Sequence, residues 1–225
     1  MGQHPRRAGN AILALVVVSV ALLSLAIAGY PGGTSFDRGA RGHDVWRNFV
    51  CDLTAPVALN GVANPQGAAL ASLALLGLGV ALALFWWHLS ALAVPSVRTR
   101  RVVRVAGLVS SLALIALPFT RWPLLLWFHP LIVSLSAIPG LLAGAMLLYG
   151  LRRARPNWWA LWALGVGTFV LASADSVLYA IHLYTRSPVI LALPALQRLA
   201  TLGFLAFVCH GALRIRNPHS IEGLR

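Results

Sequence analysis

Lysine is absent from this chain, acidic residues number only five and cysteines only two. With 10% charged residues, against about 25% in soluble domains, a water-facing surface of ordinary size cannot be built. Cys51 and Cys209 lack a CxxC neighbour, so no haem-attachment or redox motif is present. No GxxxxGK loop is available to cradle phosphates, and no GxSxG elbow or HExxH pair carries hydrolytic chemistry. These absences remove most soluble enzyme classes, and no cofactor is expected.

What remains is apolar: 59% of the 225 residues are hydrophobic, and the mean hydropathy is +0.78. A membrane-spanning helix needs roughly 20 such residues. Six segments qualify, Gly9–Tyr30, Gly67–Val94, Val102–Phe119, Leu124–Leu151, Trp158–Leu183 and Val189–Leu213. The predicted fold is an all-α, single-domain, polytopic bundle of six transmembrane helices, with one long outer loop over residues 31–66. The other connections are short enough to join antiparallel neighbours.

The net charge of +13 would suggest nucleic acid in a soluble protein, but here the arginines flank the apolar segments. No basic stripe interleaved with aromatics runs along the chain, so nucleic-acid binding is not expected. Placing both termini inside collects Arg6, Arg7, Arg98, Arg100, Arg101, Arg104, Arg152, Arg153, Arg155, Arg214, Arg216 and Arg225 on one side. Arg38, Arg41, Arg47, Arg121 and Arg186 fall on the other. The positive-inside rule then predicts cytoplasmic termini in a plasma (inner) membrane. All-arginine, Ala- and Leu-rich usage fits a high-GC bacterium. Arg6 and Arg7 ahead of the apolar run, with Ala26-Ile27-Ala28 after it, imitate a signal peptide; the run is long for that role and is read as a span. Trp86, Trp87, Trp122, Trp127, Trp158, Trp159 and Trp162 stand near span ends, as headgroup anchors do.

The outer loop opens on Gly and Pro turn residues. Within it Trp46, Phe49, Val50 and Leu53 recur at helical spacing after Asp44, which predicts a short amphipathic helix capped by Asp44. Asn64-Pro65 is the expected N-cap and first turn of the second span. Pro139-Gly140 and Pro194 could each kink a helix.

Asp175 and Arg198 are the informative positions, because a charge at the bilayer centre costs at least about 2.5–3.5 kcal/mol. Both are expected about 12–14 Å from the outer end of their spans, which makes an ion pair plausible. Thr168, Asp175, Tyr179 and His182 on the fifth span and Gln197, Arg198 and Thr201 on the sixth form a candidate polar seam. That seam is read either as a lock between helices or as a ligand or proton site. Loop residues Trp46, Asn48, Cys51, Asp52, Asn60 and Asn64 complete the candidate set. His88, His182, His210, Asp52 and Asp175 are zinc-ligand types, but their expected depths disagree, so no metal is assigned. Ser173 and Ser176 offer hydroxyls near Asp175 without a base-to-orienter arrangement. Cys51 and Cys209 are expected at opposite ends of the bundle, too far apart for a disulfide. Gly140xxxGly144 is a helix-contact pattern through which a homodimer could form.

Tyr30-Pro31-Gly32-Gly33, then Asn48-Phe49-Val50-Cys51-Asp52-Leu53, then Asn60-Gly61 and Asn64 resemble a bacterial six-helix membrane family of unassigned function, similar to the DRAM/Frag/Sfk-like group. The resemblance implies a six-span bundle over nearly the whole chain and no catalytic residues. Alkaline ceramidase-like hydrolases are a more distant likeness, lacking here their paired histidines and seventh span. The functional expectation is a non-enzymatic protein with a lipid or small-molecule cavity near the outer leaflet. A metal-assisted lipid hydrolase and a small transporter are the alternatives.

Overall fold

Long runs of Ala, Leu and Val favour helix, and the computed structural model, which describes residues 3–121, 128–185 and 192–217, contains six long helices. They are α1 (Gln3–Ala28), α2 (Pro65–Ala93), α3 (Val97–Ala116), α4 (His129–Ala154), α5 (Trp159–Thr185) and α6 (Leu193–Arg216). Each is long and apolar enough to cross a membrane. The expected fourth and sixth spans begin at Leu124 and Val189, which lie outside the described residues, as do Trp122, Trp127, Arg186 and Arg225.

Local signals set the helix starts. Pro65 occupies the first turn of α2, where its missing N–H forfeits no helical bond. Ser96 caps α3 by accepting from the Thr99 N–H. Pro194 also falls in a first turn, so it opens α6 rather than kinking it. Pro139 does sit inside α4. Proline withholds one helical N–H there, and the Ser110 hydroxyl of α3 donates to the Ser136 carbonyl at 2.5 Å. Gly140 admits that hydroxyl, since a Cβ there would stand 2.8 Å from Ser110 Oγ. Gly144 instead faces Phe169, so both glycines of the GxxxG pattern meet partners within the chain.

Sequential helices pack as neighbours, and α1 closes against α6 to complete a ring. Gly9 makes that closure close: a Cβ would come within 2.6 Å of the Ala212 carbonyl oxygen. α2 also touches α4 and α6 and carries much of the core. Phe85, Trp86, Leu89, Leu147, Leu151, Trp158, Val208 and Ile215 belong to one buried cluster. These positions fall in the halves of their helices remote from residues 31–66. A smaller cluster of Ala26, Tyr30, Leu53, Ala58 and Ala71 lies beneath the loop.

Two expected headgroup anchors turn out to be core. Trp86 is 3% and Trp158 2% exposed, whereas Trp87 and Trp159 face outward. Gly107 explains the first, because any Cβ there would strike the Trp86 ring. At this end arginines lie over aromatic faces: Arg104 over Trp87 at 4.2 Å, Arg153 over Tyr149 at 4.4 Å, and Arg155 and Arg214 both over Trp158.

Candidate functional site

The loop between α1 and α2 is held by side chains more than by regular structure. Two isolated bridges, Gly32 to Arg41 and Val57 to Ala63, fold it back on itself. Gly33 adopts φ +86°, and a Cβ would come within 2.4 Å of the Asn60 nitrogen. Asn60 uses its Oδ1 to accept from the Val62 N–H, forming a turn around Gly61.

The amphipathic helix expected after Asp44 does not form as one piece. Asp44 Oδ1 accepts from the Trp46 and Arg47 N–H groups, as a cap does, but a turn follows, and the next helical element is a 3-10 segment, Val50–Thr54. The reason lies in Asn48 and Asp52, both buried. Asn48 accepts from the Asp44 N–H and donates to the Gly33 carbonyl, while Asp52 accepts from the Phe49 N–H. These local bonds outcompete a continuous helical ladder. Leu53 is buried as its spacing predicts, but Trp46 stands exposed.

Asn64 also departs from expectation. It occupies the N-cap of α2, yet its side chain makes no cap bond. Its Nδ2 turns back to the Leu53 and Ala55 carbonyls at 3.2 and 3.0 Å. Gly67 leaves room for that side chain, as a Cβ would come within 2.2 Å of Asn64 Oδ1.

The loop is joined to the bundle by α6. Gln197 Oε1 accepts from the Val50 N–H at 3.0 Å. Arg198, buried, donates from Nε to the Val45 carbonyl at 3.1 Å and from Nη2 to the Asn48 carbonyl at 3.0 Å. Its Nη2 also lies 3.4 Å from His43 Nε2. Since the guanidinium can only donate, His43 Nε2 must accept, and the ring proton resides on Nδ1. Tyr30 packs edge-on against the His43 ring. Burial first, then the Arg198 charge, pushes His43 down to about 4, with the Phe49 backbone and the Asp44 charge opposing. The imidazole is therefore neutral near pH 7. His43 Nδ1, which carries the ring proton, is buried on the side of the Phe49 backbone.

This arrangement corrects the expected Asp175–Arg198 ion pair. α6 begins at Leu193 and Arg198 follows only five residues later, about 7.5 Å in, whereas Asp175 lies ten residues before the end of α5 at Thr185, about 15 Å in. The depths do not match, and the guanidinium is committed to loop carbonyls. Among the described residues Asp175 forms neither an ion pair nor a hydrogen bond. Thr168 is buried and donates to the Leu164 carbonyl within its own helix, while Ser176 does the same with Ala172. Tyr179, His182 and Thr201 are half-buried. Beyond Thr168, α5 buries no residue fully. The seam therefore divides into an α6 latch on the loop and a less covered acidic stretch of α5.

Cys51 and Cys209 are not joined in a disulfide. Among the described residues no three His, Cys, Asp or Glu side chains gather as metal ligands would. His43 is the residue that sequence reasoning passed over: nothing in its spacing ties it to a position 155 residues later. No family model, curated protein or solved structure matches the chain, so the likeness to the DRAM/Frag/Sfk-like group rests on the short wording of residues 30–64 alone.

Proposed function

We propose that this chain is a non-enzymatic, multi-pass protein of the plasma membrane, with cytoplasmic termini, that binds a lipid or small molecule against the loop-side half of α5. Asp175 is the observation that carries the reading. An ionised carboxylate at membrane depth costs at least about 2.5–3.5 kcal/mol, and Arg198, the cation expected to offset it, is engaged with residues 43–48. Asp175 is thus left to accept a hydrogen bond or a positive charge from a bound molecule. Ser173, Ser176, Tyr179 and His182 add polar groups to the same stretch of helix. The latched loop supports the reading by fixing the neighbouring end of α6.

Native mass spectrometry of detergent-extracted wild type and Asp175→Asn tests this. The wild type is expected to carry a bound species that the variant loses, while the variant stays folded. Identical mass profiles in two folded proteins would remove the binding reading. Topology is tested separately with a membrane-impermeant maleimide in a Cys51→Ser, Cys209→Ser background: Ser35→Cys in the loop should label from outside intact cells and Arg7→Cys should not.

A further inference from the structure

Four arginines crowd the start of α3, and they divide into two kinds. Arg100 donates to the Val94 and Pro95 carbonyls, and Arg104 donates to Ser90 Oγ and the Trp87 carbonyl while covering the Trp87 ring. Both are consumed in closing the α2–α3 turn. Arg98 and Arg101 point the other way, are exposed and have no protein partner among the described residues. They border a groove of about 500 Å³ between α3 and α4, whose remaining lining is Val102, Val105, Ala106 and Leu142.

We propose that this groove binds an anionic glycerophospholipid, with its phosphate between Arg98 and Arg101 and an acyl chain along Val102, Val105 and Leu142. Positions 98, 101, 102 and 105 recur at helical spacing and so share one face of α3. The order along that face is the order of the ligand: two cations within the first five residues, then branched apolar side chains, the whole row extending about 10 Å into the span. A guanidinium pair suits a phosphate diester because its planar donors match adjacent oxygens. The long arginine stems can lie along the groove wall while their heads remain at the headgroup layer. Charge complementarity favours an anionic headgroup over a zwitterionic one, and the apolar floor distinguishes a lipid from free phosphate. The site lies at the end opposite the loop and on other helices than Asp175, so either reading can fail alone.

The test uses the full chain in nanodiscs of equal parts phosphatidylglycerol and phosphatidylcholine, released into native mass spectrometry. Wild type should retain phosphatidylglycerol preferentially. At about 1 kcal/mol per basic residue near a charged surface, Arg98→Gln with Arg101→Gln should reduce that retention roughly thirtyfold. The exposed pair Arg6→Gln with Arg7→Gln removes equal charge elsewhere and should leave it unchanged. Leu142→Trp, which fills the groove without altering charge, should also lower retention. Millimolar inorganic phosphate should not displace the lipid. Equal retention of the two lipids by wild type, equal loss in the two arginine pairs, or displacement by phosphate would each overturn the proposal.

Discussion

The two ends of the bundle are held by different physics. Away from the loop, large apolar side chains fill the interior, and arginines stack on tryptophan and tyrosine at its edge. At the loop end, cohesion comes from hydrogen bonds between side chains and backbone: Arg198, Gln197, Asn48, Asp52 and Asn64 each satisfy or engage main-chain groups. Apolar packing tolerates small displacements, whereas a polar mesh fails when one member leaves a buried group unpaired. The first end supplies rigidity to the whole ring. The second fixes one irregular loop in one conformation.

Substitutions can sharpen that contrast. The largest loss is expected for Trp158→Ala, which empties a fully buried ring site under Arg155 and Arg214 and should cost about 3–5 kcal/mol in thermal or denaturant unfolding in detergent. Arg198→Gln should cost less, about 2–3 kcal/mol, and should raise hydrogen exchange across residues 43–53 while leaving 143–151 protected. Equal loosening of both stretches would erase the distinction. Because Asp175 and Arg198 do not pair, Asp175→Asn combined with Arg198→Gln should give additive effects within about 0.5 kcal/mol. A large coupling energy would restore the ion pair.

The pH response is smaller and belongs to the loop end alone. His43 titrates at about 4 in the folded protein against 6.5 unfolded, so between those values the unfolded chain binds more protons. Stability should therefore fall as pH drops from about 6.5 to 4 and level off below. Because the ring is only partly withdrawn from solvent, roughly 1–2 kcal/mol is expected. His43→Gln, which cannot be protonated, should flatten this part of the curve. Smallest of all, Trp46→Ser should change stability by less than about 0.5 kcal/mol, since the ring is 55% exposed.

Much of the fold is legible in the sequence because spanning helices are declared by length and composition, and six were readable from apolar runs alone. Trp86 and Trp158 were misread because proximity to a span end says nothing about which face of the helix a ring occupies. Gly107, opposite Trp86, holds that information but is distant in sequence. The polar residues that matter were visible through their cost in an apolar setting. Their partners were not. Arg198 and Asp175 seemed matched because a shared depth was taken from uncertain helix ends, and moving the start of α6 to Leu193 placed the arginine beside the loop instead. A guanidinium that binds backbone carbonyls leaves no complementary residue type to search for.

The closure of α1 on α6 also ties the first helix of the chain to the last. Gly9 and Ala212 touch although they lie near opposite ends of the sequence, and the loop that follows α1 is pinned by Arg198 on that same last helix. Residues 43–50 are held to Gly33 and Tyr30 within the α1 side of the fold, and α6 adds the bonds to Val45, Asn48 and Val50. The final helix thus completes two things at once, the ring of helices and the hold on the loop.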